Sequence, residues 1–129
     1  MIDLENSVFN TVANALRAIY GDGISVYGEY VETPSVFPSV SLVEDDNSEI
    51  ETNRTLARLP ETAANLMYTA NVYSNKATGK KTEAKAIMDV VDGCMHKLGF
   101  RRTMRSQLPN VDRTIYRVTA RYTQIFQTF

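Results

Sequence analysis

The chain has 129 residues, with 14 lysines and arginines against 15 aspartates and glutamates and a formal charge of −1. That length suits a single domain with an adequate core, and the near-neutral total gives no reason to expect nucleic acid or an anionic membrane as a partner. One cysteine, Cys94, excludes an intramolecular disulfide, and no apolar run approaches the ~20 residues that cross a bilayer. The opening MIDLENSVFN carries early acids and no apolar signal core, so the expectation is a soluble polypeptide made in a reducing cytoplasm.

Asp3 is placed to cap a first helix whose apolar face is Leu4, Val8, Val12, Ala15, Leu16 and Ile19, with Gly21 and Gly23 ending it. Asn6, Asn10 and Asn14 on the other face are poor helix formers, so packing must hold this helix more than propensity. Ile24 to Val31 reads as a strand of mixed polarity, closed by Glu32-Thr33-Pro34. Val36 to Glu44 reads as a second strand, with Val40 and Leu42 on one face and Phe37 and Val43 on the other. Pro38 lacks a donor and belongs near a strand start or a sheet edge. The run Glu44-Asp45-Asp46-Asn47-Ser48 has the composition of a turn. Glu49 to Ala64 is polar and weakly periodic, and reads mostly as a loop with room for a short strand at Ile50.

Leu66 to Tyr73 alternates, with Leu66, Tyr68, Ala70 and Val72 on one side and Met67, Thr69, Asn71 and Tyr73 on the other. After a turn over Ser74 to Gly79 the period becomes helical: Ala84, Ile87, Met88, Val91, Met95 and Leu98 form one stripe. Gly99 stands where a helix end favours a left-handed residue. Cys94 lies beside the stripe and reads as a small buried side chain. Phe100 to Arg105 alternates bulky and basic residues, Leu108-Pro109-Asn110 turns the chain, and Thr114 to Phe126 is the last strand. That strand puts Tyr116, Val118, Ala120 and Tyr122 on one face and Arg117, Thr119 and Arg121 on the other. The expected fold is one α+β domain over residues 1–129. It has a mainly antiparallel sheet with two helices packed on one side, one N-terminal and one following the central strand.

Little in the sequence points to catalysis, and no cofactor is expected. His96, the single histidine, projects away from the apolar stripe, and no Ser or Cys nucleophile stands in a triad pattern. No Cys/His cluster has zinc spacing. Glu44, Asp45 and Asp46 lack the spacing and glycine of a calcium loop, so an acidic turn is the preferred reading over a cation site. Thr78-Gly79-Lys80-Lys81-Thr82 resembles the end of a phosphate loop. The earlier glycine is replaced by Ser74, however, and Lys81 stands where Ser or Thr is required. Asn53-Arg54-Thr55 matches a glycosylation sequon by chance.

Charge is unevenly distributed. Acids dominate from Asp3 to Glu61, including Glu44, Asp45 and Asp46; bases dominate after Lys97, with Arg101, Arg102, Arg105, Arg113, Arg117 and Arg121. Arg117 and Arg121 share a strand face, and Arg101 and Arg105 share another if that segment is extended. Adjacent strands would make these a basic patch. Contact with the acids of a neighbouring subunit is preferred to non-specific phosphate contact, since no nucleic-acid motif accompanies it. Gly93, opposite the stripe within the helix, reads either as a point of close approach for a partner backbone or as a tolerated surface glycine.

The run Asn65-Leu-Met-Tyr-Thr-Ala-Asn-Val-Tyr-Ser-Asn75, then Gly79-Lys-Lys and the helix to Leu98-Gly99-Phe100, resembles the tail terminator (tail completion) proteins of long-tailed phages and prophages. So do Pro109-Asn110 and Thr114-Ile-Tyr-Arg-Val-Thr-Ala-Arg-Tyr122. The resemblance is good from Asn65 to Tyr122 and loose over Val36 to Val43. It implies a non-enzymatic virion protein of the head–tail connector region that assembles into a ring, commonly a hexamer. Such a ring caps the tail tube, stops addition of tube protein, offers a surface to the head connector or head completion protein, and passes DNA through its lumen without reading sequence. It implies no membrane. The other readings are a different connector component, such as a head completion or minor capsid protein, and a small nucleic-acid-binding module. On the first reading Arg101, Arg105, Arg117, Arg121, Gly93, Glu44, Asp45 and Asp46 are expected at subunit contacts or the lumen.

Overall fold

A computed structural model describes residues 3–29, 34, 36–50, 63–108 and 114–127 of the chain. The elements run α1 (Glu5–Tyr20), a single 3-10 turn, β1 (Ser25–Tyr27), β2 (Ser39–Glu49), β3 (Ala63–Ser74), α2 (Lys80–Lys97), β4 (Arg101–Leu108) and β5 (Tyr116–Gln127). The five strands form one sheet in the order β1-β2-β3-β5-β4, antiparallel throughout except for the parallel β1–β2 pair. The expected α+β class with a mainly antiparallel sheet is therefore what the chain adopts.

The core explains the order. Leu66, Tyr68, Ala70 and Val72 of β3 and Tyr116, Val118, Ala120 and Tyr122 of β5 point to one side, and Val40 and Leu42 of β2 extend that surface. Against it α2 sets Ala84, Ile87, Met88, Val91 and Met95, all fully buried, across β3, β5 and β4. Helix α1 lies beside α2 and adds Val8, Val12 and Leu16. Each fully buried aliphatic or Met side chain contributes about 1.5–3 kcal/mol, which outweighs the weak propensity of the asparagine-bearing α1. Ile19, expected on its inner face, is instead 61% exposed: the buried line of α1 runs through Val8, Val12 and Leu16 to the partly buried Tyr20, and Ile19 lies to one side of it. Gly21 follows with φ 67° and ends it. At the other end, Asp3 Oδ1 accepts the Glu5 N–H at 3.1 Å, so Asp3 supports the first turn from one position further out than a true cap.

Helix α2 closes as its sequence predicts. Gly99 has φ 92°, its N–H reaches the His96 carbonyl and the Phe100 N–H reaches that of Met95, the paired bonds of a Schellman ending. Phe100 then turns inward and meets Tyr68 edge-on, centroids 5.2 Å apart.

Three expectations need correction. The acidic run Glu44 to Ser48 is not a turn: it continues β2 to Glu49, paired with β3 as far as Ala64. A bulge between Glu44 and Asp46 accommodates it. Local polar bonds support it too, since the Thr69 hydroxyl donates to Asp45 and the Ser48 hydroxyl to Asp46. Strand pairing outweighs turn composition there. The Ile50 N–H donates to the Ala63 carbonyl at 3.0 Å, and the rest of the expected 49–64 loop, residues 51–62, lies outside the described residues. β1 is shorter than expected, Ser25–Tyr27, and residues 30–33 of the expected strand, like 109 and 110 of the expected turn, also lie outside. Finally, the basic patch expected of the arginines is interrupted on the sheet face away from the helices. Asn71, Tyr73 and Thr119 are buried there, with Arg117 lying over Asn71 and Tyr73.

Candidate interaction surfaces

The second strand irregularity decides where the arginines point. In β4 the pairing with β5 shifts between Arg102 and Met104. Arg101 lies opposite Thr123 and Met104 opposite Arg121, on the face away from the helices, whereas Arg102 opposite Tyr122 and Arg105 opposite Ala120 face α2. Arg101 and Arg105 therefore do not share a face. A bulge inserts one residue, and everything beyond it changes sides.

The two helix-facing arginines are engaged within the chain. Arg105 Nη1 donates to Asp89 Oδ1 at 2.7 Å, and Arg102 Nη1 to Asp92 Oδ1 at 3.0 Å. Asp92 also accepts the buried Tyr122 hydroxyl at 2.9 Å and stands 3.2 Å from His96 Nδ1. Burial, and then the Asp92 carboxylate, hold the Tyr122 phenol above its ordinary value. This four-residue cluster pins α2 to the β4–β5 margin, and it accounts for His96 as a half-exposed neighbour of an acid. It was not anticipated from sequence. The available signal was Asp89 and Asp92, three apart on α2 and flanking its stripe.

On the opposite face Arg117 donates through Nε and Nη2 to Asn71 Oδ1 at 3.1 and 3.0 Å, its guanidinium 5.6 Å from the Tyr73 ring centroid. Arg101 and Arg121 are exposed on this face, and among the described residues neither meets a carboxylate. The anticipated patch of four arginines is thus two exposed cations with a third tied to an amide. Asp45 and Asp46 are exposed on β2, across the sheet from them. Gly93 is exposed on α2, with nothing of this chain within 4 Å of where a Cβ would stand.

Glu44 is separate from its two acidic neighbours. It faces the helix side, 3.5 Å from the Tyr68 hydroxyl and beside Asp3 and Glu5. Carboxylate oxygens of Asp3, Glu5 and Glu44 lie within 4.8 Å of one another. Burial, and then the charges of Glu5 and Asp3, hold the Glu44 carboxyl above its usual range. A groove of about 480 Å³ opens next to them, lined by Glu5, Phe9, Tyr27 and Tyr68 among others. No helix among the described residues is long and apolar enough to cross a membrane.

Neither a family model nor a curated protein matches this sequence. Solved structures do: 29 chains match. One is a chain of the virion of a native gene transfer agent particle. It superposes with a TM-score of 0.58 over 97% of this chain and 95% of its own, at 17% identity. At that identity the likeness is one of fold, and it spans essentially the whole of both chains.

Proposed function

We propose that this protein is a structural subunit of a phage-like virion, a tail terminator that closes the tail tube as a ring, with no catalytic role. The observation that carries the reading is the whole-length fold likeness to a virion chain, which agrees with the independent resemblance of Asn65 to Tyr122 to tail terminator proteins. Function on this reading is steric. One ring face binds the tube end, the other stops further tube protein and receives the head connector, and DNA passes through the lumen. The hexameric ring, the tube protein and the connector are partners implied by the resemblance.

A second reading is another component of the head–tail joint, with which a matching chain from a whole particle is equally compatible. Electron microscopy of particles assembled without the protein separates them. Overlong tubes support the terminator; tubes of normal length detached from filled heads refute it and favour a joining component. DNA binding through the arginine face draws less support, because of the four arginines expected to form it Arg105 faces α2 and meets Asp89, and Arg117 is tied to Asn71. A DNA titration at low salt showing no binding would dismiss it.

A further inference from the structure

Two margins of the sheet carry opposite charge. β1 pairs only with Ser39, Val40 and Ser41, so from Leu42 onward β2 is itself the outer strand among the described residues. There it presents Asp45 and Asp46, both exposed. At the other margin β4 is outermost, with Arg101 exposed and Arg121 one strand in. These residues lie at one level. Asp46 pairs Met67, Met67 pairs Thr123, and Thr123 pairs Arg101, so they form a single row across four strands. At about 4.8 Å between strands the row spans roughly 14 Å. That exceeds the Debye length of about 8 Å at physiological ionic strength, so neither margin neutralises the other within one copy.

We infer that copies of this chain join edge to edge, the acidic β2 margin of one against the arginine-bearing β4 margin of the next, extending the sheet from subunit to subunit. The strand directions permit it. β2, β3, β5 and β4 alternate, so a neighbour in the same orientation sets its β2 antiparallel to β4 and continues the alternation. The charges also select this joint. A bulge and charged residues on an edge strand are how a monomeric sheet prevents unwanted pairing, and both margins have a bulge. Blocking all pairing calls for the same sign on both edges. Opposite signs forbid β2–β2 and β4–β4 contacts by repulsion and leave β2–β4 favourable. A contact between two different surfaces is heterologous, and it closes into a ring or propagates as a filament. The inference rests on reading the chain as a self-assembling subunit, and names the surfaces that do it.

The test is charge reversal followed by mixing. Asp45→Lys/Asp46→Lys makes both margins basic, and Arg101→Glu/Arg121→Glu makes both acidic. Sedimentation velocity on the full chain, from micromolar to millimolar at low salt, should show wild type associating and each variant alone losing at least about tenfold in association constant. An equimolar mixture should recover assembly, because every joint between unlike copies is again one acidic and one basic edge. Recovery on mixing also shows that both variants are folded. The neutral pair Asp45→Asn/Asp46→Asn and Arg101→Gln/Arg121→Gln, each weakening association, serves should a reversal fail to fold. Variants that associate as wild type does, a mixture that stays monomeric, or a wild type monomeric at every concentration overturns the edge contact. That last result would leave the terminator reading to tube length; normal tube lengths without the protein would refute the terminator while leaving the edge contact intact.

Discussion

Replacing Asp92 by alanine removes the acceptor shared by Tyr122, Arg102 and His96. The three partners lose unequally. The Tyr122 side chain is fully buried, so its hydroxyl is left without a partner, at about 1–3 kcal/mol. Arg102 is 39% exposed and His96 52%; water replaces their bonds, and together they add no more than about 1 kcal/mol. The expected loss is thus about 1–4 kcal/mol out of the 5–15 typical of a domain. For a chain of this size that lowers Tm by about 4–16 °C. Asp89→Ala is the control. Its carboxylate is 68% exposed and, among the described residues, meets Arg105 alone of the charged groups, so it should cost less than about 1 kcal/mol. Urea unfolding of both variants measures the difference. In a double-mutant cycle Tyr122→Phe should cost clearly less in the Asp92→Ala background than in wild type, because the orphaned hydroxyl is then removed. Equal losses for Asp89→Ala and Asp92→Ala, or strict additivity in the cycle, would refute the assignment of Asp92 as the clasp between α2 and the sheet.

Alkaline pH should destabilise the fold. The Tyr68 and Tyr122 phenols are held above the ordinary 10.0, chiefly by burial and then by Glu44 and Asp92. The folded chain thus binds these protons more tightly than the unfolded chain. Stability is full below about pH 10 and falls above it by about 1.4 kcal/mol per pH unit for each tyrosine; urea midpoints at pH 9, 10 and 11 should show this, with a shallower fall in Tyr122→Phe. Glu44→Gln has a smaller effect of the opposite sense. The raised Glu44 carboxyl makes its ionisation unfavourable to the fold at neutral pH, so the amide should add about a few tenths of a kcal/mol after solvent screening, and the gain should vanish in acid where wild type is protonated. The two helix glycines should part company in thermal melts. Gly93→Ala meets open space and should gain about 1 kcal/mol, whereas Gly99→Ala, at φ 92° with a Cβ 2.6 Å from Gln124 Nε2, should lose about 1–2 kcal/mol or more.

Periodicity located the central strands and helices because burial on one side writes itself into the spacing. Leu66, Tyr68, Ala70 and Val72, and the stripe from Ala84 to Met95, are read in the sequence and buried in the fold. The Gly99 ending was equally legible, since one backbone conformation demands that residue. Where the chain leaves the core, the same method fails. Glu44 to Ser48 has turn composition, yet its pairing with β3 is a long-range contact, and no local propensity records such a partner. The exposure of Ile19 is of the same kind, since helical spacing offered both Ile19 and Tyr20 at the margin of the apolar face and only packing put Tyr20 against the core.

The charged surfaces were half legible, and the missing half has one physical cause. At Asp45 and at Thr103 the ladder carries an extra residue, and neither position holds the glycine or proline that would announce it. Each bulge sends the residues beyond it to the other face. Arg105 therefore joined Asp89 instead of Arg101, and Glu44 was divided from Asp45 and Asp46. What survived was the sign. The first half of the chain is acidic and the last part basic, and the strand order assigns the margins, β2 beyond Ser41 on one side and β4 on the other, to one strand from each, with β3 and β5, apolar on their helix-facing sides, between them. An asymmetry along the sequence is thereby converted into an asymmetry across the sheet. It follows that reversing the charge of either margin leaves the core untouched and changes only which edges can meet.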